Sequence, residues 1–289
     1  MNSSQAKSAG NLDEKHRKAL VSLLADEDAK VYRTVRETIL SYGPASSNWM
    51  REHTLSSDPV LRRRANEIVD HFARQEADTL FLAFCLNQGE DFDLEHGVLL
   101  LGRTQYPQIN LEAYSAMLDY YAGELRQRLD LNWPPDHIIR VISDYLFREL
   151  HFAGDEQNFY DPENSYFHRV LDRRIGNPIT LSLLYLLLAR RLRLPMVGIG
   201  LPGHFLCRFQ SSRVEIYIDP FHGGRVLTKA DCVKLVMQLQ HRFDDGFLAP
   251  VSARRILLRM CVNLHQVYTQ QKSPVKAERL HRYLVALAN

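Results

Sequence analysis

The residues with the clearest capacity for chemistry are His204 and Asp219, in neighbouring β-type stretches. Val214, Ile216 and Ile218 alternate with Glu215, Tyr217 and Asp219, the period of a half-buried strand. His204 to Phe209 forms a second such stretch, with Ser211-Ser212 between the two. A hairpin centred on Ser211-Ser212 sets Gln210 against Arg213 and, counting outward, His204 against Asp219. Residues facing each other on one side of a sheet have Cβ atoms about 5 Å apart, so an imidazole–carboxylate contact is within reach. Ser-Ser is a weak two-residue turn, because the favoured hairpin turns use Gly or Asn.

Such a pair can serve as general base and orienting group for a nucleophile. Two hydroxyls are candidates, Thr180 and Ser182, and the competing expectation is that they cap or pack against a first helical turn. A second possibility is a metal, for which His204, Asp219 and His222 would supply three ligands of the His/carboxylate type. Their spacing matches no standard zinc pattern, so a hydrogen-bonded triad holding two strands in register is the expectation, with no metal and no cofactor. Of the four cysteines, Cys85, Cys207, Cys232 and Cys261, only Cys207 is close to His204. It lies three residues on, and strand alternation points it to the opposite face.

Several elements must position these groups. Asn177 is a good N-cap and Pro178 suits the first helical position. Ile179 to Leu192 is apolar almost all round, which predicts a helix buried on most sides. It is too short, and too quickly followed by Arg190, Arg191 and Arg193, to span a bilayer. Pro195 stops it, and Met196 to Leu201 reads as a strand in which Gly198 and Gly200 suggest close backbone approach.

A capped buried helix, a strand His and a neighbouring strand Asp together resemble the transglutaminase-like core, which is shared with papain-type cysteine proteases. More narrowly, the chain is similar to the bacterial SirB-type transglutaminase-like family. The residues that carry this are Tyr160-Asp161-Pro162 with Asn164-Ser165-Tyr166, Arg174 to Ser182, Gly200-Leu201-Pro202-Gly203-His204-Phe205, and Ile218-Asp219-Pro220-Phe221. The match is dense from about Asn158 to Gly224 and weaker on both sides. The resemblance implies that His204 and Asp219 occupy the catalytic His and Asp positions. It also implies a nucleophilic Cys at the helix start, where the helix N-terminus and the His stabilise a thiolate. That position falls near Pro178, Ile179 and Thr180, and no Cys stands there. A site without its nucleophile is expected, as in the SirB-type branch. An association with virulence-gene regulation is implied by the resemblance alone.

The chain of 289 residues allows one large domain or two small ones, and 45% hydrophobic content is enough for a core. A net charge of +2 provides no strong field for nucleic acid or a membrane surface. Scattered cysteines suggest a reducing compartment. No apolar leader opens the chain and no stretch reaches transmembrane length, so a cytoplasmic protein is expected.

In order, residues 1–10 read as a disordered tail, 11–130 as a helical N-terminal region, 131–250 as the transglutaminase-like core and 251–289 as a helical hairpin resembling one tetratricopeptide unit. Within the first region Asp28 to Ile39 echoes Asp58 to Val69 at an offset of 30 residues, the pattern of a short HEAT-like segment or of an ordinary helical bundle. Ala73 to Asn87 continues helically, and Asp93 to Thr104, Leu111 to Leu129 and Ile138 to Leu150 read as further helices. Ala153 to Ser165 reads as an irregular loop near the groove, whose Asn158, Tyr160, Asp161 and Asn164 could bind a ligand or form a plain turn network. Phe243 to Pro250 reads as a linker.

The expected fold is α+β, mostly helical, with a small antiparallel sheet. The expected function is non-catalytic binding or regulation through an unidentified protein or peptide partner, with Asn177, Ser182, Asn164, Tyr160 and His222 as possible groove residues. The alternatives are a hydrolase or acyltransferase with a Ser or Thr nucleophile, and a helical interaction scaffold.

Overall fold

The computed structural model describes residues 13–211, 214–238 and 242–288. The tail expected over residues 1–10 lies outside them. The chain forms two compact units, residues 13–79 with 103–108, and residues 80–102 with 109–288.

The first unit holds α1 (Glu14–Leu24), α2 (Ala29–Ser41), α3 (Ala45–Met50) and the first part of α4 (Pro59–Asn87). Asp28 caps α2 by accepting from the Lys30 N–H at 2.7 Å, and Asp58 accepts from the Val60 N–H at 2.8 Å. The sequence echo therefore marks two equivalent helix starts. Its paired positions Val35 and Ala65, and Ile39 and Val69, pack into one buried cluster with Leu24, Met50, Ile68 and Phe72. Helix α4 runs without a break from the second echo through Asn87, because no Gly or Pro interrupts it after Pro59.

The second unit is an α+β assembly. It contains α5 (Leu94–Gln105, up to Gly102), α6 (Leu111–Arg128), α7 (Pro135–Ser143), β1 (Ala153–Gly154), α8 (Phe167–Arg173), β2 (Ile175–Gly176), α9 (Pro178–Arg191), β3 (Met196–Leu201), β4 (His204–Gln210), β5 (Glu215–Asp219), β6 (Arg225–Leu227), α10 (Lys229–Gln238), α11 (Ala253–Gln270) and α12 (Pro274–Ala288). Strands β3 to β6 form an antiparallel sheet in sequence order. Helix α9 covers one face, with the Ser182 hydroxyl donating to the Phe205 carbonyl at 3.2 Å and the Cys207 thiol to the Ser182 carbonyl at 3.4 Å. On the other face Ile199, Leu201, Leu206, Tyr217 and Leu227 pack with Cys232 and Val236 of α10. Eleven of the fourteen residues of α9 are buried, as its all-round apolar sequence predicts.

The structure departs from the sequence reading in several places. The β4–β5 register pairs Gln210 with Glu215 and Cys207 with Ile218, not Gln210 with Arg213. The Ser211 N–H donates to the Val214 carbonyl at 3.0 Å, so each residue of β4 meets a partner two residues further along than the Ser211-Ser212 centre implies. Residues 212 and 213 themselves lie outside the described residues. Extended one step, this register sets Asp219 opposite Leu206, and His204 becomes its diagonal neighbour. The helix expected over Ile138 to Leu150 stops at Ser143 and continues as a π-helical turn, Asp144–Glu149. Within the expected loop after Phe152, Ala153 and Gly154 pair in parallel with Ile175 and Gly176. The expected linker contains a 3₁₀ turn, Asp245–Leu248, whose Leu248 is buried and whose carbonyl accepts from Arg208 at 3.0 Å.

The terminal pair α11–α12 docks on this unit. Tyr283 meets Phe81 edge-on, with ring centroids 4.7 Å apart. The buried Arg254 guanidinium donates to four carbonyls, those of Cys85 and Gln88 at the end of α4 and those of Ala286 and Leu287 at the end of α12.

Candidate functional site

Pro202 and Gly203 make the two-residue turn from β3 to β4, with Leu201 paired to His204. Gly203 adopts φ +66°, which an L side chain disfavours, and Pro at the preceding position presets the turn. His204 is thus fixed as the first residue of β4. The Arg259 guanidinium of α11 secures it further, donating to the His204 carbonyl at 2.8 Å. Arg259 sits over the Phe205 ring at 5.6 Å, and burial lowers its pKa.

Asp219 ends β5 and caps the 3₁₀ turn Pro220–His222. That turn is held close to β1: a Cβ on Gly154 would stand 2.5 Å from the Phe221 carbonyl, so only glycine fits there. The result is a three-residue cluster. The His204 Nε2 lies 2.9 Å from Asp219 Oδ2, and the His222 Nδ1 lies 2.7 Å from the same oxygen. The Asp219 side chain is 3% exposed, that of His204 11% and that of His222 46%. Burial alone would raise the Asp219 carboxyl, but hydrogen bonds and attraction from His204 and His222 outweigh it and hold the pKa below its ordinary value.

The hydroxyls at the start of α9 are engaged elsewhere. Asn177 and Thr180 form a reciprocal capping box: the Thr180 N–H donates to Asn177 Oδ1 and the Asn177 N–H to Thr180 Oγ1, both at 3.1 Å. The Thr180 hydroxyl donates to the Asn164 carbonyl at 2.8 Å, and Asn177 Nδ2 donates to Ser165 Oγ at 2.9 Å. Asn164 Nδ2 donates in turn to Asp155 and to the Asn158 carbonyl, both at 3.0 Å. Pro178, Ile179, Thr180 and Ser182 are all buried. Ser182 lies on the α9 side of β4, and strand alternation sends the His204 imidazole to the other side. Cys207 shares the Ser182 side, and burial pushes its thiol far above the ordinary range.

The structure therefore brings together His204, Asp219 and His222. It separately gathers Asn164, Asn177 and Thr180 around the helix start. Tyr160 stands on the surface, stacked edge-on with Phe159 at 5.3 Å. Phe159 meets Phe221 at 6.0 Å, and Phe221 meets the His204 ring at 6.1 Å and the His222 ring at 5.1 Å. An aromatic path thus runs from an exposed rim to the His–Asp–His cluster. The turn from Pro220 to Gly224 reads from sequence as a rim of the groove, and Phe221 stands there against both imidazoles. Sequence reasoning missed Phe159 and Arg259: the first lay within a stretch already singled out, whereas nothing local ties Arg259 to His204, 55 residues away. Two imidazole nitrogens and a carboxylate oxygen are also donors that could hold a metal.

A sequence profile described as the transglutaminase-like superfamily matches residues 112–262. The chain belongs to the transglutaminase-like superfamily. Among curated proteins it is 34% identical over 201 residues to a UPF0162 protein of Xylella fastidiosa strain 9a5c, covering 66% of this chain and 70% of that protein. It is 34% identical over 132 residues to the UPF0162 protein PA3419 of Pseudomonas aeruginosa, covering 45% of this chain and 48% of the relative. It is also 33% identical over 155 residues to F-box only protein 21 of Mus musculus, covering 51% of this chain but 24% of that longer protein. No solved structure gives a significant match. Among the described residues no helix is long and apolar enough to cross a membrane.

Proposed function

We propose that this chain is a non-catalytic member of the superfamily, of the SirB-type branch, that acts by binding a protein or peptide. The observation that carries the reading is the start of α9. Where the resemblance places a nucleophilic Cys, the chain has Pro178, Ile179 and Thr180, and the Thr180 hydroxyl is consumed by the capping box and the Asn164 carbonyl. A hydroxyl nucleophile needs a base within hydrogen-bond reach, and the partners of Thr180 and Ser182 are backbone groups and Asn177 instead. A binding role is supported by the exposed aromatic rim of Phe159 and Tyr160, since aromatic side chains beside polar groups are favoured contact residues in binding sites. The match to F-box only protein 21 over 24% of its length also suits a module that works within different protein contexts.

The test has two arms. Amine transfer to glutamine peptides and hydrolysis of activated esters are measured for the wild-type chain and His204→Ala. Equal background in both is expected, and turnover lost in His204→Ala would overturn the reading. In parallel, a displayed peptide library is selected against the wild-type chain, and each recovered peptide is measured against Tyr160→Ala. A weaker affinity for the variant, by roughly tenfold, is expected for a contact residue of this kind. Unchanged affinity for every peptide would remove the rim from the proposal.

A further inference from the structure

We propose that His204, Asp219 and His222 bind one divalent transition-metal cation, of which Zn²⁺ is the best-suited example. The donor set is right for it: two imidazoles and a carboxylate, with a fourth position left to water, is a known composition of open zinc sites. The donor atoms already converge. Both His204 Nε2 and His222 Nδ1 point at Asp219 Oδ2, at 2.9 and 2.7 Å, and all three donor atoms lie within 4.8 Å of one another. Ligand atoms around a tetrahedral zinc at about 2.0–2.1 Å stand about 3.3 Å apart. Admitting the ion needs each imidazole nitrogen to move about half an ångström away from Asp219 Oδ2, and the two nitrogens, which lie within 4.8 Å of each other, to settle about 3.3 Å apart. His222 has that freedom, since its side chain is 46% exposed and its backbone belongs to a three-residue turn. The same exposure opens the fourth position to solvent or to a ligand atom.

A purely structural role explains the arrangement less well. One His–Asp hydrogen bond suffices to tie the start of β4 to the end of β5, and the second imidazole on the same oxygen adds nothing to that link. Among the described residues this is the group of three such side chains that meets the distance requirement. Its members come from β4, the end of β5 and the turn beyond, so the ligand set is assembled by the hairpin. That is why the linear spacing matches no zinc motif. Coordination forms dative bonds from the neutral imidazoles and the ionised carboxylate, with the ring proton of each His moved to its other nitrogen, and involves no redox change.

The test uses the full chain, stripped with a chelator and titrated with Zn²⁺ by calorimetry, and with Co²⁺ by visible absorption. Expected are one Zn²⁺ per chain and the intense visible bands of four-coordinate Co²⁺. His222→Ala and Asp219→Asn should each weaken Zn²⁺ binding by roughly 100-fold or more, since loss of even a supporting partner of a zinc ligand costs 10–100-fold. His222 is exposed, so its variant keeps the test sound if Asp219→Asn fails to fold, and circular dichroism decides that point. Absence of Zn²⁺ binding by the wild-type chain, or binding unchanged in His222→Ala, would overturn the proposal. Peptide affinity in Tyr160→Ala is read separately, so failure of the metal site and failure of the binding role are distinguishable.

Discussion

The start of α9 and the end of β5 both gather polar side chains in the second unit, yet they are arranged oppositely. Around Asn177 and Thr180 the groups are neutral, buried and bonded mostly to backbone, and every contact closes a local gap left by the helix end. Around Asp219 the groups are ionisable, bond to one another, and reach solvent through His222. In the first cluster the Thr180 hydroxyl and the Asn177 amide are bonded within the protein, and it is a structural joint. The second is made of groups with lone pairs and is open to solvent at His222.

Breaking the joint should have the largest effect. Thr180→Val keeps the shape but removes the closer partner of the Asn177 N–H and of the Asn164 carbonyl, leaving only the 3.4 Å bond between those two, and should cost about 2–3 kcal/mol in urea unfolding. A loss below about 0.5 kcal/mol would mean the hydroxyl is dispensable, which would reopen a chemical role for it. Next comes Asp219→Asn, at about 1–3 kcal/mol near neutral pH, because charge-assisted bonds from two imidazoles are lost. The carboxyl pKa is lower in the fold than its ordinary 3.8. Its stabilisation is therefore present above pH 3.8 and lost as pH falls from there through the folded value. The wild-type chain should lose stability across that window more steeply than Asp219→Asn, and parallel curves would show that the carboxylate is not held ionised by the fold.

A smaller effect is expected at the open end of the second cluster. His222→Ala in metal-free protein should cost under about 1 kcal/mol, as for other exposed ionic contacts. A larger loss would turn this cluster into a second joint and erase the contrast. The last expectation is no effect at all: a thiol reagent should label none of the four cysteines in the native chain and all four in denaturant, since each is buried. Burial raises the Cys85 thiol to about 12 and the Cys232 thiol to about 11. Native labelling of Cys207 alone would reveal a reactive thiol beside the site.

What could be read from sequence divides along the same lines. The α9 cap was legible because Asn177, Pro178 and Thr180 are neighbours and their bonds are local. The cluster on the sheet was legible in its members and not in its register. The pairing predicted from a turn at Ser211-Ser212 is shifted by two residues, and an even shift of partners keeps every side chain on its face. His204 and Asp219 thus still meet, diagonally rather than directly opposite. The parallel β1–β2 pair and the π-helical turn left no trace in the sequence, because two-residue strands have no period and an i→i−5 bond, such as that from the Leu150 N–H to the Tyr145 carbonyl at 2.9 Å, follows no residue pattern. Arg259 was invisible for a different reason: its partner is a backbone carbonyl brought in by tertiary packing.

The Arg254 guanidinium has a bearing on how this chain can change length. It is the meeting point of two helix ends, and each end presents its last free carbonyls to the same cation. Adding or deleting one residue in α4 or α12 would rotate those carbonyls by about 100° and leave a buried charge facing apolar side chains. The two helices are thereby gauged against each other, and insertions and deletions should accumulate in the connecting segments while both of these helices keep a fixed count of residues.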